Sequence, residues 1–288
     1  MFGSAAPPDE VTDLRGRSFA STVGVWRVRA GGDSRVLKLL RLGAAPTEQW
    51  GSDPDVDSPF YWRREVELYR STLLDGAPFR PPRSELVERA DGSVAVWLED
   101  LGEPGTWELD AIGDVAARLG ALRAPEDAPH WLARGWLRRY LEARSARFDP
   151  SLEVWRRRDA ILERIEAAPP VLAHNDFHPG NIFRAPGTPV VIDWAFCGLG
   201  VPGDDAGILA ADFLFDDYFP VERAGELIAR VWSSYAAALD PSLVPEAEFA
   251  YFAGNALRYG WAADWNQRFA RVYRALSAAA ETTLRSFA

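Results

Sequence analysis

With 288 residues, 48% of them hydrophobic and 26% charged, the chain has the composition of a globular protein long enough for one large or two modest domains with real cores. A net charge of −10 without any long Lys/Arg block excludes a nucleic-acid-binding face, and no apolar run reaches the length of a membrane span. One cysteine, Cys197, excludes an internal disulfide framework and suits a reducing compartment; the opening MFGSAAPPDEV has no export-signal pattern, so the expected location is the cytoplasm, as a monomer or homodimer.

After a loose end over residues 1–10, Val23, Val25 and Val28 alternate as in a strand, Gly31-Gly32-Asp33 makes a turn, and Val36-Leu37-Lys38-Leu39-Leu40 returns. Lys38 is the only lysine in a chain otherwise served by arginine. A lysine in the middle of an apolar strand marks a place where a compact ammonium does something a planar guanidinium does not. Ala44 to Pro59 reads as a loop, and Phe60 to Leu74 shows helical spacing, with Tyr61, Glu65, Leu68 and Thr72 near one line. Leu86–Glu88 and Ser93–Leu98 flank Ala90-Asp91-Gly92, a hairpin signal. Past Trp97-Leu98-Glu99-Asp100-Leu101-Gly102 the composition turns helical, with one stripe of Ile112, Val115, Ala116, Leu119 and Leu122 and another of Trp136, Leu137, Tyr140 and Leu141. Trp131, Trp136 and Trp155 are expected in a core, Arg156-Arg157-Arg158 on a solvated helix face, and Pro169-Pro170 stops the helical text.

The segment from Val171 to Trp194, VLAHNDFHPGNIFRAPGTPVVIDW, is where chemistry concentrates. Two apolar runs, Val171-Leu172-Ala173 and Pro189-Val190-Val191-Ile192, flank a polar loop. Within it Pro179-Gly180 bends the chain between Asp176 and Asn181, and Asp193 ends the second run. One carboxylate to take a proton, with an amide and a second carboxylate as hard oxygen donors, is what transfer of a phosphoryl group from a magnesium nucleotide requires. HNDFHPGN followed by VVIDW resembles the aminoglycoside phosphotransferase and choline kinase family of kinase-like enzymes, whose members read H-G-D-x-H-x-x-N and then I-D-W/F.

The resemblance implies an α+β, bilobal kinase-like fold, with a small antiparallel-sheet lobe over residues 1–101 and a larger helical lobe over 102–288. It implies Asp176 as catalytic base, Asn181 and Asp193 as ligands of Mg²⁺, and Lys38, held by Glu65 (or by Glu67), on the phosphates of ATP or GTP. Ser18, Ser21 and Thr22 would cover the nucleotide from a turn lacking the usual glycines, and Glu99 and Leu101 would lie at the hinge that meets the base. His174 and His178 are expected to steady the loop. The acceptor hydroxyl of a small molecule, an antibiotic of aminoglycoside, macrolide or nucleoside type modified as resistance or self-protection, or alternatively a metabolite such as choline, an amino sugar or a hydroxy-amino acid, would lie against the C-terminal helices. Asp212, Asp216, Asp217, Tyr218, Asn255, Arg258, Tyr259, Trp261, Asp264 and Trp265 are the lining candidates. The short ordered loop after Asp193 argues against a protein kinase, and Asp204 or Asp205 is expected to cap the helix beginning near Ala206. A rival from another class places His174, Asp176 and His178 on one side of an extended strand as ligands of a transition metal in a hydrolase; it leaves Lys38 without a role.

Overall fold

The computed structural model describes residues 7–14, 20–45, 51–184 and 187–286. Its N-terminal part is an antiparallel sheet of β1 (Glu10–Asp13), β2 (Ala20–Ala30), β3 (Asp33–Ala45), β4 (Ser84–Glu88) and β5 (Val94–Glu99), in the order β1-β2-β3-β5-β4. Gly31 and Gly32 turn the long β2–β3 hairpin with positive φ at both positions, which glycine adopts without strain. One helix, α1 (Arg64–Arg70), covers a face of the sheet, where Val66 meets Leu40, Val94, Val96 and Leu98. This helix is shorter than the periodicity over Phe60 to Leu74 predicts. Tyr61 is held in an isolated bridge to Asp53 before the helix can start, and the Ser71 hydroxyl bonds the Leu68 carbonyl where it stops.

The C-terminal part is mostly helical. It contains α2 (Leu109–Gly120), β6 (Ala133–Arg134), α3 (Trp136–Ala143), α4 (Glu153–Arg156), α5 (Arg158–Glu166), β7 (Val171–Ala173), β8 (Ile182–Phe183) and β9 (Val190–Val191). After these come β10 (Gly198–Gly200), α6 (Asp204–Phe215), α7 (Ala224–Ala238), α8 (Val244–Phe249), α9 (Asn255–Arg258) and α10 (Gln267–Ser286). Both predicted stripes are buried: Ile112, Val115, Ala116 and Leu119 face α7, and α3 buries Trp136, Leu137, Tyr140 and Leu141. At Gly120 a Cβ would stand 2.3 Å from the Tyr235 carbonyl oxygen, so α2 and α7 approach as closely as backbones can. Trp131 and Trp136 lie in the core as expected, whereas Trp155 is half-buried, stacked on Phe148 at 4.2 Å between ring centres. Among the described residues no helix is long and apolar enough to cross a membrane.

The two apolar runs flanking the polar loop do not pair with each other. β7 pairs antiparallel with β10, and β9 pairs with β8, so the loop between His174 and Asn181 is gripped from two separate small sheets. The carboxylates at 204 and 205 do not cap α6 either, since Gly203 holds that position; both carboxylates lie buried in the first turn with other work to do.

Candidate active site

β7 delivers the chain into the loop at His174, which is fully buried. Its Nε2 bonds the Ile192 carbonyl at 2.9 Å, and its ring lies edge-on to Trp194. Burial pushes the imidazole down to about 4, so at neutral pH it is an uncharged spacer between the loop and β9. The backbone N–H groups of His174 and Asn175 both donate to the Asp205 carboxylate, at 2.6 and 2.8 Å, which nails the loop to the start of α6. Asn175 has φ of +65° and passes its side-chain amide to the Phe196 carbonyl.

Asp176 follows, half-buried, with its carboxyl raised by desolvation. Pro179–Asn181 forms a 3₁₀ turn whose Gly180 N–H donates to His178 Nδ1 at 3.2 Å. The turn brings Asn181 back so that its amide nitrogen donates to the Asp176 carbonyl at 3.0 Å, which leaves the amide oxygen as the atom Asn181 can offer a cation. Asp193 stands at the end of β9 in the left-handed conformation, φ +60°, and opens the 3₁₀ turn Trp194–Phe196.

Lys38 reaches this end of the loop from β3, where it lies between Val25 and Val96 of the neighbouring strands. Only 5% exposed, its Nζ donates to Glu65 Oε2 at 2.6 Å and to Asp193 Oδ1 at 2.8 Å. Burial works against the ammonium, yet Asp193 and Glu65 outweigh it and hold its pKa above the ordinary lysine value. Glu65 itself is pushed up by burial and receives the Tyr69 hydroxyl at 2.9 Å. Glu67, the alternative partner, lies near Arg63 and Arg70 instead.

Two clefts meet at Asp193. The larger, about 260 Å³, has apolar walls from Leu14, Val25, Val36, Leu98, Phe183 and Ile192, with Glu99 and Leu101 at its rim. The narrower one, about 60 Å³, runs past Ser21, Thr22 and Tyr61 to Asp176. Ser18 lies outside the described residues. Glu99 differs from a hinge residue with its side chain to spare: its carboxylate is engaged by Arg80 and Arg83, and its N–H donates to the Arg83 carbonyl. Among the described residues no group of three His, Cys, Asp or Glu side chains is placed to hold a metal, which removes the footing for a His174–Asp176–His178 centre. An amide oxygen and one carboxylate, Asn181 and Asp193, instead fit a hard cation that brings most of its oxygens with a polyphosphate.

Beyond Asp176, α6 and the α9–α10 segment present acids and rings. Asp212, half-buried, receives the Tyr259 hydroxyl at 2.6 Å and is pushed up to about 7 by burial, with Asp216 and Asp176 adding to the rise. Asp216 is raised by burial and lies 3.9 Å from His178. Phe215 stacks on Tyr259 and Trp261; Tyr218 and Trp265 are exposed. Asp217, another candidate, ion-pairs with Arg268. Tyr259 is itself buried, and two further candidates lie in the interior, turned toward α6. Asn255 is buried with its amide on the Gly207 carbonyl, and Arg258 is buried in an ion pair with Asp204, because the short turn through α9 points both back into α6. Sequence reading missed Arg64, Asp204, Asp205 and Tyr69 as parts of the site, and for the buried arginine the only signal was a doublet, Arg63-Arg64, whose two members meet opposite environments.

The five-stranded sheet with its one helix, followed by the helical part that carries the loop, is a kinase-like α+β fold. Residues 77–273 match the model of the phosphotransferase enzyme family, and the chain belongs to that family. No curated protein matches the sequence. The fold is similar to that of the amicoumacin kinase hAmiN, solved with AMP-PNP, Ca²⁺ and Ami, with a TM-score of 0.63 at 17% identity over 96% of this chain and 89% of that one. It is similar also to a microcompartment-associated aminopropanol kinase, TM-score 0.59 at 17% identity over 97% and 94% of the two chains. The choline kinase from Cryptosporidium parvum gives a TM-score of 0.57 at 12% identity over 96% and 90%.

Proposed function

We propose that this phosphotransferase moves the γ-phosphoryl group of ATP or GTP, bound with Mg²⁺, to a hydroxyl of an amine-bearing small molecule. The observation that carries the proposal is the ion-paired group of Lys38, Glu65 and Asp193, whose Asp193 lines both clefts, with Asp176 in the narrower one. In this reading the lobes divide near residues 101 and 102, and the apolar walls of the larger cleft take the base. Lys38, kept extended by Glu65, meets the non-transferred phosphates, with Ser21 and Thr22 beside them. Asn181 and Asp193 hold the metal, which supplies charge neutralisation along the phosphates.

Asp176 orients the acceptor hydroxyl and takes its proton as the new oxygen–phosphorus bond forms and the bond to the β-phosphate oxygen breaks, releasing the nucleoside diphosphate. Its raised carboxyl suits the task, because a stronger base accepts that proton more readily. The acids at 212 and 216 favour an acceptor with a protonated amine, since a cation beside them stabilises the carboxylate forms that burial disfavours. Tyr218, Trp261 and Trp265 offer rings for its apolar parts, and the buried Tyr259 holds Asp212 through its hydroxyl. An aminoglycoside-type antibiotic, modified as resistance or self-protection, meets these demands; so does a metabolic amino alcohol, and the aminopropanol and choline kinases of similar fold support keeping that second reading. The deciding experiment is a coupled ADP/GDP-release screen over amine-bearing antibiotics, amino alcohols and neutral hydroxyl compounds, run with both nucleotides. Turnover confined to neutral acceptors refutes the amine reading, and no turnover on any hydroxyl compound counts against the reaction.

A further inference from the structure

Arg64 has no exposed surface, and among the described residues no carboxylate pairs with it. Its guanidinium donates only to backbone carbonyls: Nε to Trp131 at 2.8 Å, Nη1 to Pro59 at 2.7 Å and to Ala195 at 3.3 Å, and Nη2 to Ser58 at 2.6 Å. A cation buried against dipoles alone is held down in pKa by desolvation, and such an arrangement persists only where the surrounding structure enforces it. The carbonyls come from three separate pieces of chain: the approach to α1, the segment after α2, and the turn that starts at Asp193.

Two bridges therefore join α1 to the Asp193 turn. One is ionic, through Glu65 and Lys38 to the Asp193 carboxylate. On the phosphotransferase reading its Lys38–Asp193 link is the part that loosens when Lys38 turns to a phosphate, Glu65 still holding the ammonium. The other is Arg64 Nη1, which spans the Pro59 carbonyl and, at 3.3 Å, the Ala195 carbonyl, two residues past an aspartate in the left-handed conformation that non-glycine residues seldom adopt.

Resting on the phosphotransferase reading, we propose that Arg64 is a positioning residue for the metal: by gripping the Trp194–Phe196 turn from α1, it keeps the Asp193 carboxylate at metal-binding register when Lys38 is drawn away by nucleotide. Lysine at this place keeps the charge but cannot span carbonyls that lie apart, so the conservative change removes the fork and not the cation. The test titrates Mg²⁺ against binding of a fluorescent, non-hydrolysable nucleoside triphosphate to the purified full chain. Arg64→Lys and Arg64→Gln are compared with wild type and with Arg63→Ala, which removes the neighbouring arginine's ion pairs with Glu88 and Glu67 and its stack on Trp62 but leaves the Arg64 contacts in place.

The Arg64 variants are expected to need at least tenfold more Mg²⁺ at half-saturation, with metal-free nucleotide affinity unchanged, while Arg63→Ala stays within twofold of wild type. Arg64 variants that lose thermal stability yet keep the wild-type Mg²⁺ midpoint would show a packing role alone and overturn the proposal. Should neither variant fold, Ala195→Gly, which loosens the same turn with Arg64 in place, must raise the midpoint; an unchanged midpoint refutes the inference. Wild-type protein that binds nucleotide with no dependence on Mg²⁺ would instead sink the phosphotransferase mechanism on which this rests.

Discussion

Replacing Asp205 by alanine tests whether the loop carrying Asp176 is held from behind. The Asp205 carboxylate accepts the His174 and Asn175 N–H groups at 2.6 and 2.8 Å, and all three residues are buried. Alanine leaves two buried donors without partners, and each such orphan costs about 1–3 kcal/mol, so the loss is roughly 2–6 kcal/mol. For a chain of this size that is a fall in Tm on the order of 5–15 °C, a large part of the stability of an ordinary domain. Asparagine retains one acceptor oxygen and turns a donor toward the second N–H, so Asp205→Asn belongs between wild type and alanine. Differential scanning calorimetry gives the ordering, and steady-state kinetics on the folded fraction reports whether the loop keeps its geometry. The reasoning fails if Asp205→Ala unfolds within about 2 °C of wild type and keeps full kcat, because the backbone would then have found water or another acceptor at no cost.

Three further perturbations separate the parts of the site. Asp176→Asn is expected to lower kcat by about 10²–10⁴-fold while leaving nucleotide-induced thermal stabilisation intact, and an unchanged kcat would remove Asp176 from the proton-accepting role. Asp193→Ala should abolish the Mg²⁺-dependent part of nucleotide binding by isothermal titration; retained Mg²⁺ dependence would move the metal elsewhere. For pH, the folded carboxyl of Asp212 lies at about 7, above the ordinary aspartate value of 3.8, so the folded state binds the extra proton between those limits. Its contribution is complete below about pH 4 and is lost as pH rises toward 7, at no more than about 1.4 kcal/mol per pH unit. His174 runs the other way: its folded value of about 4 lies below 6.5, so stability is lost as pH falls through that window. Asp205, also raised to about 7, acts in the same direction as Asp212 and is common to both proteins, so urea denaturation from pH 4.5 to 7 should show a smaller loss of stability with rising pH in Asp212→Asn than in wild type, and a parallel pair of curves would contradict the placement of Asp212.

The fold and the centre of the site were legible to different degrees, for physical reasons that particular residues display. The β2–β3 hairpin and the α2 and α3 stripes follow from period and turn chemistry, which are local, and they stand where the residues predicted. Strand partners within the loop region were not local. Val171–Ala173 and Val190–Val191 flank one loop, yet each is too short to carry a pairing preference of its own, and distant Gly198–Gly200 and neighbouring Ile182–Phe183 take them. The meeting of Lys38, Glu65 and Asp193 became readable only through motif spacing, since 155 positions separate Lys38 from Asp193 and no periodicity spans such a gap.

What stayed hidden was burial of charge. Arg64 and Arg63 are adjacent and chemically identical, yet one has no exposed surface and binds four carbonyls while the other pairs with Glu88 at the surface. A helix turns by about 100° per residue, so neighbours in a doublet must face different environments, but which of them faces inward depends on what the rest of the chain places there. Asp204, Asp205 and Arg258 pose the same problem: two acids at a helix start read as surface caps, and only a buried arginine arriving from α9 makes an interior pair stable. Period and turn residues place apolar side chains well because burial is their ordinary state. A buried ion is exceptional, its environment is assembled from remote backbone, and in this chain the residues that sequence reading failed to assign are mostly of that kind.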